Sequence, residues 1–146
     1  MKRSLFALSF SLLNAFAYAG EPVQSPDALE SELTACLTKN NKTSRCMETV
    51  LGKRILPGND QLASIAKQLD ELLQKWLASE SIYAIHPIRT KKSGDIYEKR
   101  TYMIEDTGGS LMVFNLTTLK RLGKWYVFQF NLSSTTSEVN SVLKGE

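Results

Sequence analysis

Among the residues in the second half of the chain whose side chains can transfer protons, three are candidates for catalytic chemistry: His86, Glu98 and Tyr102. Glu98 and Tyr102 are four residues apart in an alternating segment, so a strand would place both on one face, where they could act as an acid–base couple in a cavity. A cross-strand salt bridge is the simpler role for Glu98. Together with Trp76, these residues are the candidates for lining a pocket.

Histidine chemistry is limited because His86 is the only histidine in the chain. A metal site with several histidines cannot be formed, and a lone histidine on a strand is more often exposed or hydrogen-bonded than catalytic. The sequence also lacks a G-x-S-x-G motif, a P-loop, a dinucleotide fingerprint and a cluster of metal ligands. We therefore predict no catalytic residue, no metal and no cofactor.

The chain contains two cysteines, Cys36 and Cys46. They do not form a C-x-x-C motif, and one histidine is too few to complete a typical zinc site. In an oxidising compartment an even count of cysteines predicts one disulfide. Closing so short a loop would contribute about 2–3 kcal/mol in the chain-entropy description. We predict a structural Cys36–Cys46 disulfide.

A second group of candidate residues is defined by charge. Hairpin turns alternate between the two ends of an antiparallel sheet, so the first and third turns of a four-stranded meander share one end. The opposite end would carry Glu80, Glu105 and Asp106. A cationic end could attract an anionic glycan, a lipid head group or an acidic protein surface, although lysines at strand ends also protect sheet edges. The cations of the two turns form a predicted basic rim: Arg89, Lys91, Lys92, Lys120, Arg121 and Lys124.

The meander itself is predicted from a stretch between Ser81 and Leu132, in which apolar and polar residues alternate in four runs. Turn residues separate the runs at 91–94, 106–109 and 120–123, as expected for antiparallel strands. The first two runs are mixed, which suits an edge or the rim of a cavity. In the last two, the even-numbered residues form an apolar face that we expect to pack on a helix: Met112, Phe114, Leu116, Tyr126, Phe128, Phe130 and Leu132.

Three helical segments precede the meander. Ser25-Pro26-Asp27 is a helix start, and apolar residues at helical spacing predict a helix to about Thr38. Thr43 or Ser44 could cap a short second helix that carries the second cysteine. After a cap at Asp60, an apolar stripe predicts a long amphipathic helix that covers the sheet. The stripe consists of Leu62, Ile65, Ala66, Leu69, Leu72, Leu73, Trp76 and Leu77, opposite a polar side of Asp70, Glu71, Gln74 and Lys75.

Residues 1–19 have the pattern of an export signal. Lys2 and Arg3 precede an apolar run from Leu5 to Phe16, and Ala17-Tyr18-Ala19 supplies a cleavage site of small residues. We expect cleavage after Ala19 and a periplasmic or secreted protein without an integral membrane span, since no later segment approaches about 20 apolar residues. Without Lys2 and Arg3 the 18 basic residues fall to 16, against 15 acidic ones. So small an excess does not favour nucleic acid as a partner.

Together these patterns predict an α+β fold, with an N-terminal helical hairpin stapled by the disulfide and one long amphipathic helix packed on a curved four-stranded antiparallel sheet. The signal peptide occupies residues 1–19 and a helical clasp residues 20–58. The helix and sheet occupy residues 59–132 in the same compact domain. Residues 133–146 are expected to be a polar tail, in which one helical turn would bring in Val139, Val142 and Leu143.

The order of a long helix and an antiparallel sheet that ends in Leu122-Gly123-Lys124-Trp125-Tyr126-Val127-Phe128 resembles the NTF2-like superfamily of cone-shaped α+β proteins. The resemblance covers about Asp60 to Leu132, and its motif is a G-K-W-x-V segment at the start of the last strand. It implies a pocket between the helix and the curved sheet. It specifies no function, because this shape hosts isomerases, dehydratases and catalytically silent binding domains, and the acidic catalytic residues of the enzymes have no secure counterpart here. A cystatin-like sheet on a helix is the alternative, and would imply an inhibitor.

Three functions follow from these observations. The first is a non-enzymatic exported module that binds a protein or an anionic envelope component through the helix–sheet pocket or the basic rim. The second is a small inhibitor or immunity-type protein that presents its turns and tail to a partner enzyme. The third is an NTF2-like pocket enzyme that uses Glu98, Tyr102 or His86. A pocket function requires a sizeable cavity with convergent polar groups, whereas an inhibitor requires a filled core and an exposed loop surface.

Overall fold

A four-stranded antiparallel sheet with its strands in sequence order forms the centre of the fold. The structure is a computed structural model that describes residues 20–39 and 45–146. The predicted α+β class and the meander are confirmed, whereas the expected signal peptide, with cleavage after Ala19, lies outside the described residues. The strands are β1 (Ile82–Ser93), β2 (Tyr97–Asp106), β3 (Leu111–Arg121) and β4 (Lys124–Ser133), and the α-helices are α1 (Pro26–Thr38), α2 (Gln61–Leu77) and α3 (Thr136–Lys144).

Two helices share the inner face of the sheet. The long helix α2 packs on the sheet as predicted, at β4, and α1 packs beside it at β1. Both helices contribute to one apolar core, so the stapled N-terminal part belongs to the cover of the sheet. No helix within residues 20–39 and 45–146 is long and apolar enough to cross a membrane. Core side chains include Leu29, Leu33 and Leu37 of α1, Leu69, Leu73 and Leu77 of α2, and Ile104, Met112, Phe114 and Leu116 of the sheet.

The start of α1 follows the predicted capping pattern. The Ser25 hydroxyl accepts a hydrogen bond from the Ala28 amide at 3.1 Å. Pro26 occupies the first helical position, where a missing N–H removes no helical hydrogen bond. The local sequence signal was therefore sufficient to place this helix.

The predicted disulfide joins Cys36 near the end of α1 to Cys46, with Cα atoms 5.7 Å apart. Cys46 precedes a π-helical turn (Met47–Leu51) and a 3₁₀ turn (Gly52–Arg54), where the sequence pattern predicts an ordinary short helix. The residues proposed to cap that helix, at positions 43 and 44, lie outside the part of the chain that the structure describes.

The long helix α2 differs from the prediction at three positions. Asp60 already has helical dihedral angles (φ −61°, ψ −24°), and its side chain makes no capping bond. Leu72, predicted in the apolar stripe, is 43% exposed, and Asp70, predicted on the polar side, is 3% exposed. The carboxylate of Asp70 is buried there because two amides of the π-helical turn donate hydrogen bonds to it.

A β-bulge interrupts the alternation of side chains in β4. Thr117 and Thr118 of β3 pair with Gln129 and Val127, so Phe128 is an extra residue in β4. At such a bulge two consecutive residues point to the same side of the sheet, and the parity of the following residues reverses.

The bulge determines which residues of β4 reach the core. Trp125 and Val127 pack inward before it, and Phe130 packs inward after it. The predicted inner positions of Tyr126 and Phe128 are therefore wrong, and Phe128 is 38% exposed. Both side chains lie on the opposite side of the sheet, which we call the outer face.

The segment predicted as a polar tail forms α3 on the outer face. Val139 and Val142 are three residues apart and lie on one side of the helix, where they pack with Met103 and Val113 of the sheet. Gly145 ends the helix with φ 79°, a left-handed conformation that glycine adopts without strain. α3 thus packs on one end of the outer face.

The free edge of β4 is partly covered by earlier segments of the chain. The Val23 amide donates to the Trp125 carbonyl at 2.9 Å, and the Leu56 amide donates to the Val127 carbonyl at the same distance. These bonds satisfy main-chain groups that an exposed edge would otherwise present to another strand.

Candidate functional site

The predicted acid–base couple, Glu98 and Tyr102, lies on the inner face of β2 with Arg100 between the two residues. Arg100 donates hydrogen bonds to the carboxylates of Asp27 and Glu30 on α1, and to Glu98 Oε1 at 2.5 Å. The Tyr102 hydroxyl donates to Glu30 Oε2 at 2.7 Å. These five residues form the Arg100 cluster, which joins α1 to β2.

Burial and hydrogen bonding change the acidity of groups in the Arg100 cluster. Burial raises the pKa of Tyr102, and the hydrogen bond to Glu30 raises it further. Burial acts to lower the pKa of Arg100, but hydrogen bonds to three carboxylates outweigh burial and raise it. The hydrogen bond from Arg100 lowers the pKa of Asp27. At neutral pH Tyr102 is thus a neutral donor and Arg100 a cation, and neither is poised to exchange a proton with a substrate.

The space beside the Arg100 cluster is filled. The cavity between α1 and the sheet next to Tyr102 has a volume of about 10 Å³, near the minimum for one water molecule. His86 lies on the outer face, opposite Met103, and its Nε2 is 2.9 Å from Glu105 Oε2. Trp76 packs against the core from α2. The four predicted pocket residues therefore do not converge on one ligand-sized pocket.

The two turns of the basic rim lie at the same end of the sheet, because the strands follow one another in sequence order. Two rim residues at β1 have partners. Lys92 Nζ lies 3.3 Å from Glu98 Oε2, which is the cross-strand salt bridge expected of this carboxylate. Arg89 donates to the main-chain oxygen of Glu146 at 2.6 Å. These two cations are already engaged within the protein.

Of the remaining rim cations, one contacts other side chains of the protein and three do not. Lys120 Nζ is 3.8 Å from Asp95 Oδ2 and 5.9 Å from the centre of a neighbouring tryptophan ring. Lys91, Arg121 and Lys124 are exposed, and within residues 20–39 and 45–146 their side chains have no hydrogen-bond or salt-bridge partner. These three cations are free to meet a ligand.

On the outer face there are two pairs of cations, and the two members of each pair lie directly opposite each other on neighbouring strands. Lys91 is the cross-strand neighbour of Lys99, and Arg121 is the cross-strand neighbour of Lys124. Like charges in this position destabilise an antiparallel pair. Lys99 was missed as a candidate because its position opposite Lys91 depends on strand register, which neither composition nor turn position reveals.

The turn between Arg121 and Lys124 holds these two residues together. It consists of Leu122 and Gly123, with φ values of 51° and 76°. Positive φ at both positions is the type I′ geometry that joins antiparallel strands most tightly, although a leucine rarely adopts it. Leu122 is 94% exposed, so the turn rather than side-chain packing holds it in this conformation.

An aromatic row lies between the two like-charge pairs. Tyr97 pairs with Leu119, and Leu119 pairs with Tyr126, so the three side chains form a line across β2, β3 and β4. All three are half-buried. Phe128, turned outward by the bulge, follows Tyr126 on β4 and widens the row. The sequence pattern placed the two β4 residues in the core, so the row was not anticipated.

A separate cleft of about 540 Å³ opens beside the π-helical turn. Its volume suits a small ligand, but its wall combines both signs of charge, and Arg45 lies 3.5 Å from Glu48 within it. The cleft therefore presents no single charge to a ligand, and no sequence signal predicted it. It is lined by Gly20, Arg45, Glu48, Thr49, Gly52, Lys53, Ile55, Leu56, Asp60 and Ala63.

Comparison with known proteins gives no match: no family model, no curated protein and no solved structure matches the chain. The resemblance to the NTF2-like superfamily over residues 60–132 therefore stays a prediction. Functional inference depends on the chemistry of the outer face and the basic rim.

Proposed function

We propose that this protein is an exported, non-enzymatic binding module that holds an anionic partner at the basic end of its sheet. The observation that carries the proposal is the presence of two like-charge pairs, Lys91 with Lys99 and Arg121 with Lys124, at one end of the outer face. Neither pair forms a salt bridge with an acidic residue within the described residues.

The two faces of the same strands support this interpretation by their contrast. On the inner face Lys92 lies opposite Glu98, with their charged groups 3.3 Å apart, and each side chain stabilises the other. On the outer face each like-charge pair costs up to about 1 kcal/mol of sheet stability. Folding does not favour such pairs, whereas a bound anion would relieve the repulsion in both.

Export is supported by two features of different kinds. The N-terminal sequence has the charged, apolar and small-residue regions of a secretory signal. The Cys36–Cys46 disulfide is stable in an oxidising compartment and rare in the cytosol. An envelope offers many polyanions, so the basic rim would meet its partner there.

The test is the double variant Lys91→Glu with Lys124→Glu, which converts both like-charge pairs into opposite-charge pairs. We expect binding of fluorescent poly-L-glutamate to weaken by at least about tenfold at low ionic strength. The same variant should unfold at a higher denaturant concentration, because two repulsive contacts become attractive. Measuring both quantities separates a lost binding site from a damaged fold.

The matched control is Lys67→Glu with Lys75→Glu, which makes the same change in net charge at two exposed positions of α2. This control should bind the polyanion nearly as well as the unaltered protein. Equal loss of binding in both double variants would reduce the effect to net charge and refute a local site. Unchanged binding in the rim variant would refute it as well.

A further inference from the structure

The positions of the two like-charge pairs restrict the size of the anion. Lys91 and Lys99 lie on β1 and β2, whereas Arg121 and Lys124 lie on β3 and β4. The pairs are four residues apart along the strands and two strands apart across the sheet. With standard strand spacings this separation is about 17 Å. A single small anion cannot contact both pairs, but a chain with repeated negative groups can.

The surface between the pairs is apolar and aromatic. Tyr97, Leu119 and Tyr126 cross the sheet in one row, and Phe128 extends the row at the edge strand. Flat rings on the face of a sheet offer stacking surfaces for other rings. The bulge turns Phe128, the extra residue in β4, outward, so that a large apolar side chain is 38% exposed. Bulges commonly re-aim side chains in this way next to binding sites.

Uncharged polar side chains continue the surface toward α3. Gln129 lies in the next row of the outer face and Asn131 in the row after it, and both are exposed. A side-chain amide both donates and accepts hydrogen bonds, which suits a ligand rich in hydroxyl groups. This half of the outer face therefore combines cations, aromatic rings and amides on one surface.

We infer that the ligand of the outer face is an anionic polysaccharide, whose carboxylates contact the two like-charge pairs and whose sugar rings lie on the aromatic row. The inference rests on the proposed function and specifies its ligand. A polysaccharide fits the three features together: repeated charge, stackable rings and many hydroxyls. A nucleic acid shares the first two, but the chain has only a small excess of basic over acidic residues, 18 against 15, where nucleic-acid binding favours a large one.

The experiment compares two polyanions of similar charge, namely alginate oligosaccharides, which carry a carboxylate on each sugar ring, and poly-L-glutamate, which has no rings. We expect the oxidised protein to bind alginate at least about tenfold more tightly, as one or more stacked rings would give. The variant Tyr97→Leu with Tyr126→Leu should lose this preference and keep its affinity for poly-L-glutamate. Leucine keeps both positions apolar, so the sheet retains its burial.

Two further variants make the result decisive. Tyr83→Leu removes an aromatic ring that is 70% exposed on β1 at the other end of the sheet, and it should keep the full preference for alginate. Phe128→Ser replaces an exposed ring and should reduce the preference severalfold. If thermal unfolding shows that the double tyrosine variant does not fold, Phe128→Ser decides the question.

The possible outcomes separate the two proposals. Equal affinity for both polyanions, or an unchanged preference in the aromatic variants, overturns the polysaccharide and leaves the anion-binding function standing. Tighter binding to oligodeoxythymidylate or to phosphatidylglycerol vesicles than to alginate also overturns it, in favour of the other ligand. Binding to none of these probes refutes the proposed function itself.

Discussion

The carboxylate of Asp70 on α2 accepts a hydrogen bond from the main-chain amide of Met47, with Oδ1 and N 2.9 Å apart. Its other oxygen accepts from the amide of Glu48 at 2.8 Å. Both amides belong to the first residues of the π-helical turn, which have no carbonyl partner within that turn. A side chain of the long helix therefore caps the short element that follows the disulfide and connects the clasp to α2.

Replacement of Asp70 by alanine should destabilise the protein by about 1–3 kcal/mol, because one buried and one partly buried amide lose their acceptor. The measurement is urea unfolding followed by circular dichroism. Glu71→Ala changes the neighbouring, exposed carboxylate and should shift the unfolding free energy by less than about 0.5 kcal/mol. Equal effects at the two positions would contradict the capping role.

Asp70 should also contribute a characteristic pH dependence. Burial raises its pKa above the ordinary value of 3.8, and nearby Glu48 adds to the increase, while the two amides and Arg45 oppose it. Between 3.8 and the raised pKa the folded state binds more protons than the unfolded state, so stability falls as pH rises through this window and is level above it.

The comparison of the unaltered protein with Asp70→Asn isolates this contribution. Groups elsewhere, including Asp27, whose pKa is lowered, titrate in both proteins and cancel in the difference. We expect the unfolding free energy of the unaltered protein, relative to the variant, to decrease as pH increases from about 3 through the window. If this free-energy difference between the unaltered protein and the variant increased with pH, the folded state would favour the charged form of the carboxylate.

The order of elements was predictable because the signals for it are local. The Ser25 cap acts on an amide three residues away, and Gly123 marks its turn within a two-residue loop. The last two strands of the meander carry their own alternation of apolar and polar residues, and turn residues separate all four strands. Patterns that depend on a few neighbouring residues can be recognised before any tertiary contact is known.

The features that were missed depend on distant partners. Asp70 is buried because of amides more than 20 positions earlier in the chain, and Arg100 contacts a carboxylate 73 positions away. Phe128 faces outward because β4 pairs with β3 across a bulge in which Phe128 has no partner, and alternation within β4 cannot indicate this. The like-charge pair of Lys91 and Lys99 depends equally on register, so the basic rim was predictable in outline and the aromatic row was not.

The disulfide should stabilise the fold mainly through the unfolded chain. Cys36 and Cys46 are 10 positions apart, and closing a loop of that length corresponds to about 3 kcal/mol in the chain-entropy description. We expect the variant Cys36→Ser with Cys46→Ser to lose about that amount in denaturant unfolding. Reduction of the unaltered protein by dithiothreitol should give the same loss, whereas reduction of the variant should change nothing. A loss from reduction well below that of the variant would assign the difference to the serine side chains.

Arg100 and Lys99 allow the contributions of inner-face and outer-face cations to stability to be compared directly, because the two residues are adjacent on β2 and point to opposite faces. Arg100→Met leaves Glu98, which is 4% exposed, without its main counter-charge, and should destabilise the protein by about 3–5 kcal/mol. Adding Glu98→Gln should restore part of this loss, since the stranded charge is then removed. Lys99→Met, by contrast, relieves repulsion from Lys91 and should leave stability unchanged or slightly increased.

Denaturant unfolding of the four proteins, including the double variant, measures the difference between the two faces directly. A large loss of stability on replacing Lys99 would mean that its aliphatic stem packs on the sheet and that the outer-face pairs have a structural role. A small loss of stability on replacing Arg100 would mean that the apolar core holds α1 to β2 and that the Arg100 cluster contributes little. The expected result, a large loss for the inner residue and none for the outer one, assigns the cations of the inner face to folding and leaves those of the outer face for binding.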